Sequence, residues 1–249
     1  MNNKTKVEIL IFCHNFQRRL CWVLSSIHQQ IDNPLDIIVN ISSLGNNGNP
    51  TTESVIKEYD DKLKIKHTVF KHKRNLQYPS LIKNIQIAQS SAEWILCHSC
   101  DHIFHPHHFK SIAEYILGKY KGYDKCLSSL DNIHLELKAS NDLIDKNKDK
   151  FYIENAYEKA FNCTHLEIPE RYGPGGYIIF RRQAVIDKNS GKYCTENHDR
   201  NLFRRGMRTW SDLPFREAMG GTKSQKWPPM VGINHVRDKE LGYHTEEQR

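Results

Sequence analysis

The sequence predicts an α/β fold in which a mostly parallel central sheet is flanked by helices. Short apolar runs recur along the first half of the chain, and each of them gives way to polar residues. Segments with apolar residues at helical spacing separate these runs. Alternation of strands and helices over residues 1–117 is typical of a parallel sheet with helices on both faces.

Four apolar runs predict the strands of this sheet. The first, "VEILIFC" from Val7, is almost uninterrupted, as expected for a strand that is buried on both faces. The others are "LDIIVNISS" at residues 35–43, which ends in polar residues from Asn40, "IKHTVF" at 65–70 and "AEWILCHS" at 92–99. Ligands bind such sheets beyond the carboxyl ends of the strands. We therefore expect a site near residues 13–15, 40–43 and 99–101.

The predicted helices lie between and after these strands. Thr51 or Thr52 is expected to cap a short helix, and Pro106 is expected in the first turn of another. The apolar positions that define the remaining helical faces are Leu20, Val23, Leu24 and Ile27; Leu81, Ile85 and Ala88; and Phe109, Ile112, Ala113 and Ile116.

The second half of the chain is less regular. The polar segment "ELKASNDLIDKNKDK" predicts a loop or a weak helix, and "GPGGYIIFRR" predicts a turn followed by a strand. "ENHDRNLFRRG" predicts a helix that Gly206 terminates. Because neither a repeat nor a low-complexity linker interrupts the sequence, residues 1–249 are predicted to form a single domain.

Composition and charge narrow the functional classes. The net charge of +7 favours polyanionic ligands, either nucleotide phosphates or nucleic acid. Seven scattered cysteines predict reduced thiols rather than a disulfide framework. No apolar run is long enough to span a membrane, and "MNNKTKVEILIF" lacks the pattern of a secretory signal. We therefore expect a cytoplasmic protein.

The segment "WILCHSCDHIFHPHHF" carries five histidines, two cysteines and one carboxylate. Cys97 and Cys100 have the spacing of zinc ligands or of a redox pair, but no second CxxC pair accompanies them. Asp101 lies where a buried strand gives way to a loop that opens a helix. A carboxylate in this position could hold Mg²⁺ or Mn²⁺ against a diphosphate, or it could simply cap a turn.

The order of these segments resembles that of the family 2 glycosyltransferases, which are nucleotide-sugar enzymes of GT-A fold. The strongest match is "LIKNIQIAQSSAEWILCHSCDHIFHP", in which Lys83, Asn84, Asp101, His105 and Pro106 fall on the family spacing. The Asp-x-Asp motif of the family is written Ser99-Cys100-Asp101 here. Looser matches are "ILIFCHN", "DIIVNISS", "GPGGYIIFRR", "CTENHDRNLFRRG" and "GINHVRD".

The resemblance implies an inverting hexosyltransferase that takes its sugar from a nucleoside diphosphate, with UDP-sugars favoured. Residues 1–117 would bind the donor, and residues 165–249 would carry the acceptor site and the catalytic base. It implies Asp199 as the base and Asp101 with His235 as ligands of Mn²⁺ or Mg²⁺. The implied donor-binding residues are Cys13, Asn15, Asn40, Ser43, Lys83 and Ser99, and the implied acceptor-binding residues are Gly175, Gly176 and His198.

Two alternatives accompany this prediction. The acceptor could be a hydroxymethylated pyrimidine in viral DNA instead of a glycan, lipid-linked sugar or protein, since the chain is basic and residues 64–74 are rich in lysine. The chain could also be a non-catalytic nucleotide- or metal-binding module that retains the fold. The sequence leaves the sugar, the acceptor and the oligomeric state open.

Overall fold

A computed structural model gives the fold of the chain. It describes residues 4–13, 16–44, 50–70, 79–129, 132–166, 177–188, 215–216 and 219–233. Within these ranges the polypeptide forms two sheets with helices packed on both faces of the larger one.

The larger sheet has seven strands in the described part of the chain, in the order β3-β2-β1-β4-β8-β6-β9. Strand β1 lies between β2 and β4 and is parallel to both, and β2 is parallel to β3. Strand β8 runs antiparallel to β4 and β6. The strands are β1 (Lys6–Cys13), β2 (Asp36–Leu44), β3 (Lys64–Phe70), β4 (Trp94–His98), β6 (Cys126–Ser129), β8 (Ile178–Arg181) and β9 (Thr222–Gln225).

Helices cover both faces of this sheet. Successive apolar side chains of β1 point to opposite faces, so each face has apolar surface that a helix must cover. Ile9 and Ile11 face one core cluster, which includes the buried residues of α1 and α2. Leu10 faces a second cluster with Ile87 of α3 and Val185 of α7. The helices are α1 (Gln17–His28), α2 (Thr52–Lys57), α3 (Pro79–Gln89), α4 (His108–Glu114), α5 (Leu137–Lys146), α6 (Ala156–Phe161) and α7 (Arg182–Lys188), and a π-helical turn (Tyr115–Lys119) follows α4.

The smaller sheet brings three distant segments together in the order β5-β10-β7. Its strands are β5 (His102–Ile103), β7 (Asn132–His134) and β10 (Met230–Gly232). β10 is antiparallel to β5 and parallel to β7. Because β5 follows β4 almost at once, this sheet holds the loop at the end of β4 against the second half of the chain.

The prediction of a mostly parallel sheet flanked by helices is confirmed. Thr51 caps α2 as predicted, since its Oγ1 accepts a hydrogen bond from Ser54 N at 3.1 Å. One expected boundary was wrong, since α4 begins at His108, two residues after Pro106. Strand β2 ends at Leu44, one residue beyond the predicted polar end at residues 40–43, and Asn40 lies within the strand.

Two outcomes concern the second half of the chain. The polar segment expected to be a loop or a weak helix contains α5, which buries Leu143 and Ile144. The helix expected from "ENHDRNLFRRG" lies outside the described residues. None of the helices in the described ranges has the length and apolar character needed to cross a membrane.

Candidate active site

The carboxyl ends of β1, β2 and β4 meet at one edge of the larger sheet. Cys13, the last residue of β1, is paired with Ser43 of β2. On the other side Ile11 is paired with His98, the last residue of β4. Continuing this register by two residues places Cys13 beside Cys100. Cys13, Ser43, Ser99 and Asp101 therefore come together at the edge where a parallel sheet binds its ligand.

Asp101 is an ionised carboxylate at this edge. Its side chain is 13% exposed, and its Oδ1 accepts a hydrogen bond from His102 Nδ1 at 2.9 Å. Burial raises the pKa of Asp101, but the charge and hydrogen bond of His102, a hydrogen bond from Ser99 and the charge of Arg19 together lower the pKa to about 2. Asp101 therefore carries its negative charge throughout the physiological pH range.

The loop that carries Asp101 is fixed from several sides. His98 Nε2 donates to the backbone oxygen of His102 at 2.8 Å, closing the turn between β4 and β5. The His98 ring stacks on Phe104 with the centroids 4.1 Å apart. Burial lowers the pKa of His98 to about 3, so the ring is neutral. The backbone N–H of Ile233 donates to the backbone carbonyl oxygen of Asp101 at 2.9 Å and holds the loop against the end of β10.

Arg19 brings a positive charge to the same corner. It belongs to the first turn of α1 and is only 3% exposed, with its guanidinium carbon 5.0 Å from the centroid of the Phe16 ring. Sequence reasoning did not single out this residue. The signal was present, because Arg19 precedes Val23 by four residues and therefore lies on the apolar face of α1.

The cysteines near Asp101 pack on different faces of the sheet. Cys97 belongs to the core cluster beneath α3, whereas Cys13 and Cys100 belong to the cluster beneath α1. Cys97 and Cys100 therefore do not face a common zinc ion or each other. A hydrogen-bond contact with Cys13, together with burial, raises the pKa of Cys100 well above its usual value, so its thiol stays protonated.

Two of the predicted donor-binding residues lie on the opposite face from Asp101. Asn40 donates from Nδ2 to Glu8 Oε1 at 2.6 Å and accepts a hydrogen bond from Gln86 of α3. Lys83 is 1% exposed in the second turn of α3. Ser43, in contrast, lies on the same face as Cys13, and its hydroxyl is 2.9 Å from His67 Nε2.

The site residues expected from the second half of the chain lie outside the described residues. They are the predicted base Asp199, the predicted metal ligand His235 and the acceptor-side Gly175, Gly176 and His198, and Asn15 of the donor side joins them. Their roles stay predictions.

The chemistry of Asp101 fits a divalent cation. An ionised carboxylate that keeps some solvent access is the kind of ligand that Mg²⁺ and Mn²⁺ prefer. Among the described residues no group of three or more His, Cys, Asp or Glu side chains is arranged to hold a metal ion. Asp101 stays a predicted ligand, and further protein ligands would come from other segments, as is predicted for His235.

Comparison with known proteins places this geometry in context. No protein-family model matches the chain, and no curated protein matches it either. Solved structures do match. Staphylococcus aureus TarS superposes with a TM-score of 0.61 at 13% identity, over 95% of this chain and 38% of that one. Its fragment 1–349 in complex with UDP-GlcNAc gives 0.57 at 12% identity, over 93% and 60% of the two chains.

A third solved structure agrees with these two in fold. The mannosyltransferase PcManGT of Pyrobaculum calidifontis, in complex with GDP-Man and Mn²⁺, gives a TM-score of 0.52 at 14% identity. The match covers 95% of this chain and 59% of that one. The chain has the GT-A fold. It spans at most about three fifths of the length of these structures, and at such low identity the GT-A likeness concerns the fold.

Proposed function

We propose that the chain is a glycosyltransferase that moves a hexosyl group from a nucleoside diphosphate to an acceptor hydroxyl with inversion. The observation that carries this proposal is the ionised, partly exposed carboxylate of Asp101 at the carboxyl end of β4, in a GT-A fold. A site for a donor diphosphate needs such a carboxylate if a cation is to bridge protein and phosphate. The structures of similar fold that contain UDP-GlcNAc and GDP-Man support a nucleotide-sugar donor, and we favour UDP-sugars.

The donor side of the reaction depends on charge at the sheet edge. Asp101 and the predicted ligand His235 would hold Mn²⁺ or Mg²⁺, and when bound such a cation supplies a Lewis acid for the departing diphosphate. Ser99 and His102 keep the Asp101 carboxylate ionised and oriented. The buried guanidinium of Arg19 adds positive charge to the same corner, where the leaving group gains negative charge.

The acceptor side is assigned to the second half of the chain. Asp199 would accept the proton of the acceptor hydroxyl as the hydroxyl attacks the anomeric carbon from the face opposite the diphosphate, which inverts the configuration. Gly175, Gly176 and His198 would position that hydroxyl. Lys83 and Asn40 are buried on the α3 side of the sheet, so their part in donor binding would be to support the sheet edge that carries the site.

A donor screen followed by a base substitution tests the proposal. The melting temperature of the chain is measured with UDP-, GDP- and TDP-sugars plus Mn²⁺. The sugar of one of these nucleotides should raise it, because the donor binds only the folded state. Transfer or hydrolysis of that donor should then be lost in Asp199→Asn while nucleotide binding persists.

The exposed Asp124 provides a matched control, since Asp124→Asn also removes one carboxylate and should retain activity. Equal turnover in wild type and Asp199→Asn would refute the assignment of the base. Donor binding without turnover of any sugar, against a panel of glycan, peptide and hydroxymethylated DNA acceptors, would instead show a non-catalytic binding module.

A further inference from the structure

Two histidines flank a glycine across the smaller sheet. Gly232 of β10 is paired with His102 of β5 on one side and with His134 of β7 on the other. Residues paired in register point to the same face of a sheet. The two imidazoles therefore stand on one face with only the hydrogen of Gly232 between them, and their centroids are 5.1 Å apart at an interplanar angle of 88°.

The ring nitrogens approach the same point above Gly232. A methyl carbon in place of the glycine hydrogen would lie 2.7 Å from His134 Nδ1 and 3.1 Å from His102 Nε2. A larger residue at position 232 would therefore clash with the His134 ring and press tightly against the His102 ring. Glycine at this last position of β10 leaves the space that the two rings need, since a glycine in a strand often marks a close approach of other groups.

The hydrogen bond that His102 makes with Asp101 directs the other ring nitrogen into this space. His102 Nδ1 donates to Asp101 Oδ1, so the ring nitrogen that can release its proton to a metal ion is Nε2. The His102 side chain is 10% exposed, and its Nε2 has no hydrogen-bond partner among the described residues. A histidine that donates one ring nitrogen to a carboxylate and offers the other is the usual arrangement of a metal-bound imidazole.

We propose that His102 Nε2 and His134 Nδ1 form a binding site for a divalent transition-metal ion such as Zn²⁺ above Gly232. Imidazole nitrogens suit Zn²⁺, Ni²⁺ and Cu²⁺, whereas carboxylate oxygens suit Mg²⁺ and Mn²⁺. The His102 ring separates this site from Asp101, which contacts the opposite ring nitrogen. The bound ion links β5 to β7 across β10 and holds His102 in the orientation that supports Asp101.

Titration of the full chain with Zn²⁺ by calorimetry, without nucleotide, tests this site. The wild type should bind Zn²⁺, and His134→Asn should raise the Kd at least about tenfold. Gly232→Ala should do the same without removing a ligand, since its methyl carbon would lie 2.7 Å from His134 Nδ1 and would push the rings out of place. The matched control is His107→Asn, because His107 is exposed and outside the site.

Zinc bound between these two rings can be distinguished from zinc bound elsewhere on the chain. Circular dichroism and melting curves establish that each variant is folded. If Gly232→Ala does not fold, the Kd values for Zn²⁺ of His134→Asn and His107→Asn still show whether His134 is a ligand. Long-range ¹H–¹⁵N spectra of the histidines should show Zn²⁺ shifting His102 Nε2 and His134 Nδ1. Equal Kd values in all variants, or Zn²⁺ binding that leaves these two resonances in place, would overturn the proposal. The result is independent of sugar transfer, which Asp199→Asn tests.

Discussion

Asn40 Nδ2 donates to Glu8 Oε1 at 2.6 Å in the interior of the larger sheet, where the Glu8 side chain has no exposed surface. The other carboxylate oxygen accepts hydrogen bonds from Ser90 at 2.7 Å and from Lys66 at 3.2 Å. A buried carboxylate is costly unless its oxygens are bonded in this way. Asn40 is therefore part of the structure that holds β1 and β2 against α3.

Substitution Asn40→Asp is expected to destabilise the fold. It removes the amide donor and places a second carboxyl group within hydrogen-bond distance of Glu8, where two negative charges repel each other and cannot both ionise easily. We expect a loss of about 2–4 kcal/mol in the free energy of unfolding, comparable to breaking a buried charged pair. Urea denaturation at neutral pH measures it.

The control for this change is Asn162→Asp, an identical substitution at an exposed position. It should alter the free energy of unfolding by less than about 0.5 kcal/mol, as is usual for surface sites. If both variants unfold at the same urea concentration, the network around Glu8 does not contribute as the contacts indicate.

Substitution Asp101→Asn should weaken metal-dependent nucleotide binding. The amide keeps the size of the side chain but removes the charge that a divalent cation needs. We expect the Kd for UDP in the presence of Mn²⁺ to rise at least about tenfold, which corresponds to about 1.4 kcal/mol, while the Kd measured with EDTA changes little. Isothermal titration calorimetry gives both values.

The exposed Asp142 in α5 offers the matching substitution Asp142→Asn, which should leave both Kd values unchanged. Unchanged UDP affinity in Asp101→Asn with Mn²⁺ would remove Asp101 from the cation site.

The cysteines should differ in their reactivity with a thiol reagent. Among those described, Cys13, Cys21, Cys97, Cys100 and Cys126 are buried and Cys163 is partly exposed. Burial raises the pKa of Cys21 to about 12 and that of Cys163 as well, so access decides the rate. Alkylation followed by peptide mass spectrometry should label Cys163 well before the five buried thiols, and all of them after denaturation. Labelling of Cys100 as fast as Cys163 would contradict the packing beneath α1.

The larger sheet was predictable where its strands are buried on both faces. The run that contains Ile9, Leu10 and Ile11 has no alternation, and this is what a central parallel strand requires. The short strands β6 and β7 were missed because runs of four and three residues carry too little pattern to be read.

The candidate site was predictable only in part, because some of its contacts depend on the three-dimensional arrangement of distant segments. Asp101 could be found because its position after a buried strand is visible in the sequence. The contacts of Arg19, Glu8 and His102 depend on which face of a helix or strand turns inward, and on register with segments far away in the chain. A single charged residue within an apolar pattern was the available signal for Glu8, since it lies between Val7 and Ile9.

Acid should destabilise the protein through His98 and His108. Burial lowers the pKa of both rings to about 3, compared with about 6.5 in an unfolded chain. His108 Nδ1 donates to the Pro228 oxygen at 3.2 Å, so Nε2 accepts from Tyr177 at 2.7 Å and has no room for a second proton. Below pH 6.5 the unfolded chain binds protons that the folded chain does not. The contribution of these two neutral rings to the free energy of unfolding is therefore fully present above that pH. It is lost progressively as the pH falls from about 6.5 towards 3.

Urea denaturation of the wild type and of two neighbouring variants between pH 7.5 and pH 4.5 would measure this effect. His108→Gln removes one of the two rings whose pKa is lowered to about 3, so the free energy of unfolding of this variant should fall less steeply with acid than that of the wild type. Its value at pH 7.5 should be lower than that of the wild type, because the hydrogen bond to Tyr177 is altered. His107→Gln changes an exposed residue next to it and should keep the wild-type slope. Equal slopes in His108→Gln and wild type would mean that His108 takes up its proton in the folded state at an ordinary pH, which the contacts with Tyr177 and Pro228 oppose.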